Sequence, residues 1–458
     1  MTNDMTHGTP WKLLLSFSVP LLIGNLFQQF YNMADTIIVG RTLGVKELAA
    51  VGATGCISFL VIGFVQGLTS GLAVITAQRF GARDEDGVRR SVATSIIISI
   101  AITAVVTLIS TLGCRSMLDI MNTPDDIIDN SYSYIFVIFA GACAPVFFNL
   151  FSSILRSLGD SKTPLLFLIA TCILNIVLDF AFILIFHMGV AGAGLATVIS
   201  QLISGAACLV YSIKRFPILR LKRGDWAFSW RFAWAHLRVG LPMAFQFSVT
   251  AVGTMILQSA LNSLGSIAVA AYTTATKIDQ LATQPVYSFG VALATFTAQN
   301  YGAARPDRIK RGVLSCTVIS SGACVVGCAL VLILCPFLVR IFVGGGQEDV
   351  LGMVKHYLMI NSTCYIILGV LFIFRNVLQG IGSAAVPFFA GVFELVTRSA
   401  IAFMLLGTLQ YTAICIAGPA AWLSAAAPLT IAYTVIMRKK YGTAFKSIKT
   451  GVRSVSNV

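Results

Sequence analysis

Ala77-Gln78-Arg79-Phe80-Gly81-Ala82 recurs 221 residues later as Ala298-Gln299-Asn300-Tyr301-Gly302-Ala303. Two further landmarks repeat in the same order. Pro20 returns as Pro242 at a shift of 222, and Leu155-Arg156-Ser157-Leu158-Gly159 with Pro164 returns as Leu378-Gln379-Gly380-Ile381-Gly382 with Pro387 at a shift of 223. Chance could supply any one of these matches, but three in order at almost one shift mark an internal duplication. The chain is therefore read as two related halves.

Composition places both halves in lipid. Of 458 residues, 57% are hydrophobic and 11% charged, and the mean hydropathy is +0.86. A soluble domain carries roughly 25% charged residues, so this chain could not cover a water-facing surface. A spanning helix needs about 20 mostly apolar residues. Runs of that kind occur at 11–39, 47–78, 88–113, 129–157, 164–186, 190–213, 232–262, 266–298, 309–339, 352–380, 386–408 and 412–437. Several exceed 25 residues, so tilts or kinks are expected. Pro20 and Pro242, each removing a helix hydrogen bond, are candidate kinks or hinges. Six spans per half is an even number, so both halves enter from the same side. The expected fold class is an all-α membrane protein of twelve transmembrane helices, its halves related by a parallel repeat about a pseudo-two-fold along the membrane normal.

Orientation follows from the basic residues. Of the 32 Lys and Arg, only Arg41, Lys46, Arg115, Arg340 and Lys355 fall in one set of loops and Lys277, Arg375 and Arg398 inside spans. All others, Arg156 included, lie on the side of the termini, which makes both termini cytoplasmic by the positive-inside rule. The +14 net charge is explained by this asymmetry, and no basic stripe interleaved with exposed aromatics points to nucleic acid. The expected organisation is an N-terminal lobe at 1–213, a charged connection at 214–231, a C-terminal lobe at 232–437 and a basic tail at 438–458. Met1–Pro10 leads into an apolar run too long for a signal-peptide core, so it is expected to stay as the first span. Eleven Cys without CxxC spacing and four scattered His predict neither a metal centre nor a redox site, and no cofactor.

The acidic residues inside spans are Asp35, Asp179, Asp279 and Glu394. Placing a carboxylate there costs about 2.5–3.5 kcal/mol on insertion scales, so such residues usually mark ion or substrate paths. At about 1.5 Å rise per residue, Asp35 lies roughly 9 Å below Arg41, Asp179 about 12 Å below His187, and Thr197 roughly 10 Å into its span. Asn175 is one turn before Asp179 on the same face. Two carboxyl groups, an amide and a hydroxyl thus share one height. Low dielectric disfavours a charged carboxylate, so the cluster can exchange a proton; its oxygens could instead hold Na⁺. In the other half, Lys277 and Asp279 are two apart and face different ways, while Glu394 and Arg398 are four apart and are expected to form a structural ion pair. Gln28, Tyr31 and Asn32 in the first span, with Lys277, Asp279, Gln280 and Gln284 in the eighth, are candidates to line a polar, cation-attracting cavity.

Several stretches resemble bacterial multidrug and toxic compound extrusion (MATE) transporters. They are Leu26-Phe27-Gln28-Gln29-Phe30-Tyr31-Asn32-Met33-Ala34-Asp35 with Ile38-Val39-Gly40-Arg41; Ala77-Gln78 with Gly81-Ala82; Ala275-Thr276-Lys277-Ile278-Asp279-Gln280; and Leu158-Gly159-Asp160-Ser161-Lys162-Thr163-Pro164. The resemblance implies two six-helix lobes around a central cleft, in a cell membrane, exporting cationic amphipathic drugs against H⁺ or Na⁺. It also implies a DinF-type ion site, whose Asp in helix 1, Asn and Asp in helix 5 and Thr in helix 6 match Asp35, Asn175, Asp179 and Thr197. NorM-type members carry an acidic residue in helix 7, and residues 232–262 contain none, so the DinF type is the closer match. Expected partners are small organic cations and membrane lipid, with the chain a monomer. The runner-up is a flippase for lipid-linked oligosaccharide or another lipid, which would favour a wide basic cavity. No HExxH, GxSxG or P-loop is present, so neither a membrane enzyme nor ATP hydrolysis is expected.

Overall fold

The computed structural model describes residues 4–121, 123–343 and 348–454, without side chains at 45, 340–343, 348 and 440–454. The basic tail expected at 438–458 lies almost wholly outside the described side chains. The described chain is helical, with no strand among the described residues. In order, the helices are α1 (Pro10–Thr42), α2 (Val45–Ala53), α3 (Gly55–Gly81), α4 (Glu85–Ile120), α5 (Ile128–Ala140), α6 (Cys143–Ser157), α7 (Lys162–Phe180), α8 (Gly189–Arg215) and α9 (Trp230–Asn262). They continue as α10 (Ser266–Gly302), α11 (Pro306–Val343), α12 (Glu348–Thr363), α13 (Tyr365–Gly380), α14 (Ala385–Met404), α15 (Leu406–Leu409) and α16 (Tyr411–Ser454).

Nine of the described segments are long and apolar enough to cross a membrane, or eleven when each bent pair is one span. The remaining long helix is α10, which carries Lys277, Asp279, Gln280 and Gln284. Together these are the twelve spans in two lobes that the duplication requires. Both prolines sit inside unbroken helices, Pro20 in α1 and Pro242 in α9. The sharp bends lie elsewhere: 47° between α5 and α6, and 50° between α12 and α13. Each halves what reads in sequence as one span, at equivalent places in the two lobes. At Gly141, in the first bend, a Cβ would run into Val198 of α8; Pro145, four residues on, has no N–H to offer the Gly141 carbonyl, which accepts from the Ala144 N–H instead.

Lobes meet most extensively along α3 and α9. Gly63, Gly67 and Gly71 recur every fourth residue of α3, and a Cβ at Gly67 or Gly71 would overlap the α9 backbone at Met243 or Gly240. In lipid, where apolar burial drives no helix association, close backbone approach through small residues is a main source of packing.

At the end of the bundle where α1 begins, the repeated hexapeptide joins the lobes reciprocally. Gln78 Nε2 donates to the Gly380 carbonyl at 2.9 Å, and Gln299 Nε2 donates to the Ser157 carbonyl at 2.9 Å. Gly81 lies on the Gln299 carbonyl and Gly302 on that of Gln78, with no room for a Cβ at either. The segment before α1 reinforces this seam: Met5 is buried, its N–H donates to Gln299 Oε1 at 2.8 Å, and its carbonyl accepts from Asn300 Nδ2 at 3.1 Å. The connection at 214–231 is docked on the N-terminal lobe, with Phe216 and Leu219 in that lobe's core and Asp225 3.4 Å from the Arg89 guanidinium.

Candidate functional site: a carboxyl pair beside a central cavity

Asp35 of α1 and Asp179 of α7 come together as the depth argument expects. Their carboxyl groups lie within hydrogen-bonding range of each other. Two carboxyl groups can share such a bond only when one of them carries a proton. Asp179 and Asn175 are fully buried. With its amide turned to satisfy both ends, Asn175 donates to Asp179 Oδ2 at 3.0 Å and accepts from the Thr197 N–H at 3.2 Å. One oxygen of each aspartate, Oδ1, is buried without a partner among the described residues. Immediately after Asp179 the helix widens into a π turn at Ala181–Ile185, a local irregularity often found at functional positions.

Tyr31 links this cluster to a cavity between the lobes. Its hydroxyl shares a 3.2 Å hydrogen bond with the Thr197 hydroxyl, while its ring lines a central cavity of about 360 Å³. On α1 the cavity stripe runs Pro20, Gly24, Gln28, Tyr31, one turn short of Asp35. On α10 it runs Tyr287, Val291, Ala294, Thr295, Ala298, and on α6 it runs Asn149, Ser152, Ser153, Arg156. All three follow the three-to-four residue spacing of a helix face.

The substrate-cavity residues expected from sequence divide. Gln28 and Tyr31 line the cavity; Asn32, Lys277, Asp279, Gln280 and Gln284 do not. The reason is register along α10, which meets the cavity only beyond Pro285. Before it, Ala271, Ala275 and Ile278 turn into the apolar core of the C-terminal lobe. Lys277 and Gln280 are exposed, and Asp279 accepts a 2.7 Å hydrogen bond from the Tyr365 hydroxyl.

The structural ion pair is also re-partnered. Glu394 pairs with Arg375 of α13, both buried, and not with Arg398. One turn along α14, Arg398 points instead toward α9 at Gly253. Arg375 and Arg156 line the cavity, and among the described residues no Asp or Glu does. That lining is opposite in sign to what the expected cationic cargo needs. In sequence Arg156 reads as a loop charge because it sits near a span end. Comparing the repeat copies side by side was the signal that could have singled it out.

The family model described as MatE matches this chain twice, over residues 20–181 and 242–404. The two matches start at Pro20 and Pro242, the pair that first marked the duplication. The chain belongs to the MatE family. MatE relatives include the probable multidrug resistance protein YpnP of Bacillus subtilis strain 168, 28% identical over 83% of this chain and 84% of that protein. Among solved structures, a MATE protein in complex with MaL6 superimposes with a TM-score of 0.88 at 25% identity, covering 97% of this chain and 100% of that one. A transporter of the MOP superfamily from Pyrococcus furiosus, described as having a binding pocket of reverse polarity that suggests a different function, superimposes at 0.87. It is 25% identical, over 95% of this chain and 97% of its own. Their twelve-helix, two-lobe fold is that of this MatE chain.

Proposed function

We propose that this chain is a secondary efflux transporter that exports small amphipathic organic compounds in exchange for H⁺, with Na⁺ the alternative ion. It would act as a monomer in the cell membrane with both termini in the cytoplasm. The observation that carries the reading is the Asp35–Asp179 pair: two carboxyl groups facing each other, each with a buried, unpartnered oxygen, joined through Asn175 and Thr197 to Tyr31 of the cavity wall. Taking up or losing the shared proton must rearrange the bonds among Asp179, Asn175 and Thr197. Tyr31 then carries that change to the cavity. Coupling needs such a differential contact, because an ion shifts the balance between two conformations only if it binds one better.

The naming of relatives such as YpnP as multidrug resistance proteins supports efflux as the physiological direction. The reciprocal seam of Gln78 and Gln299 is the contact that must part when the cavity opens on the other side. A cavity of about 360 Å³ matches the roughly 300–1,000 Å³ of drug-sized sites and is small for a lipid-linked oligosaccharide, which favours efflux over lipid flipping. If Na⁺ is the ion, Asp35, Asn175, Asp179 and Thr197 supply its oxygen ligands.

Proteoliposomes given a pH gradient or a sodium gradient separately test this reading. Fluoroquinolone movement is expected to follow the pH gradient and to be lost in Asp35→Asn. Movement that survives the substitution unchanged would remove the carboxyl pair from the mechanism.

A further inference from the structure

The duplication exposes an imbalance in the cavity wall. In the C-terminal lobe, Gln379 of α13 donates through Nε2 to Gln246 Oε1 of α9 at 2.9 Å, and both residues line the cavity. At the shifts set by Pro20 with Pro242 and by the Leu155 and Leu378 pentapeptides, these positions correspond to Gly24 and Arg156. One lobe therefore has a closed amide pair where the other has an arginine and a glycine, both lining the cavity.

Arg156 Nη2 donates to Ser153 Oγ at 3.0 Å. No carboxylate lies within ion-pair distance of it among the described residues. The second cavity arginine, Arg375, is already matched by Glu394. Its counterparts in the N-terminal lobe are the uncharged Ser152 and Thr171. Ser152 is 3% exposed, lines the cavity, and its Oγ has no partner. Net positive charge and an unused hydroxyl thus meet on one face of α6, with no acidic residue in the wall to answer them.

We propose that the cavity selects substrates with an anionic group, a carboxylate or phosphate on an apolar body, docked through that group on Arg156 with Ser152 and Ser153. This rests on the cavity being the substrate site of the exporter proposed above, and it names the cargo's charge. An arginine partly withdrawn from water without a counter-ion is unfavourable, and a ligand acid supplies what the protein leaves out. The planar guanidinium fork matches both oxyanions. Leu165, Leu168, Met243, Phe247 and Phe372 offer the apolar body its surface.

Equilibrium binding to the full chain in nanodiscs tests this with four probes on one ring system: 2-naphthoate, 2-naphthyl phosphate, 2-naphthol and 2-naphthylmethylammonium. Both acids are expected to bind roughly tenfold or more tighter than the alcohol and the ammonium, the range of a charge-assisted hydrogen bond. Arg156→Gln, which installs the other lobe's residue, should erase that preference, and Arg156→Lys should keep part of it. Ser152→Ala should weaken the phosphate more than the carboxylate. Wild-type protein that binds the ammonium as tightly as the acids overturns the proposal, as does an acid preference that survives Arg156→Gln. The wild-type comparison decides even if a variant misfolds. Binding needs no ion gradient, so failure of gradient-driven export with the acid preference intact would sink the efflux reading and leave this one standing.

Discussion

The two lobes share landmarks, bends and a reciprocal seam, yet they differ in where they place charge. At the repeat's shifts, Asp35 corresponds to Leu257 and Asp179 to Ala402. Both of those residues are buried in one apolar cluster of the C-terminal lobe. Where the N-terminal lobe keeps an open carboxyl pair and an unanswered arginine, the C-terminal lobe has an apolar core, a matched Arg375–Glu394 pair and a closed Gln246–Gln379 bridge. Duplication supplied a scaffold; divergence put the carboxyl pair and the unpaired cavity arginine in one half only.

The comparison is broken most directly by making the lobes alike. Asp35→Leu and Asp179→Ala each install the C-terminal lobe's residue, and the initial rate of gradient-driven export should fall by about 100-fold, toward the upper end of coupling effects. Full export in either variant would show that the asymmetry is not the ion path. Glu394→Gln should cost about 3–5 kcal/mol of stability by leaving Arg375 buried and unpaired. The double variant Arg375→Gln with Glu394→Gln should recover most of it, read from unfolding in detergent; equal losses would mean that pairing is not what Glu394 provides.

Gly81→Ala and Gly302→Ala sharpen the symmetry. Each puts a methyl group into the opposite lobe's backbone, so each should weaken the seam by about 1–3 kcal/mol and by similar amounts. Hydrogen exchange over residues 4–8 and 78–82 would quicken in both variants; unaltered exchange would show that the seam tolerates the methyl. The smallest effect is expected from Thr197→Val, which removes the bond to Tyr31 for about 0.5–1.5 kcal/mol. A thermal shift in the wild type's own buffer measures it, and a larger loss would show that Thr197 holds more than this one bond.

Much of this was legible in residues alone. Span limits, six helices per lobe and the common height of Asp35, Asn175, Asp179 and Thr197 follow from helical rise and the energetics of lipid, which act locally and leave a periodic trace. Other features were not. The bend before Tyr365 has no proline to announce it, and the choice of Arg375 over Arg398 as partner for Glu394 depends on which helix lies across from α14. The cavity's retreat from Lys277 and Gln280 depends on where α10 turns toward its neighbours.

The sequence by itself determined that this is a duplicated twelve-helix membrane protein with two intramembrane acids at one level, because hydrophobicity, repeat and charge are properties of residues taken in order. Only the tertiary structure decided that the cavity presents arginine and no carboxylate, and that Tyr31 joins it to the acid pair. The sign of a pocket is a sum over side chains from helices far apart in the chain, and no local rule fixes which of them face each other.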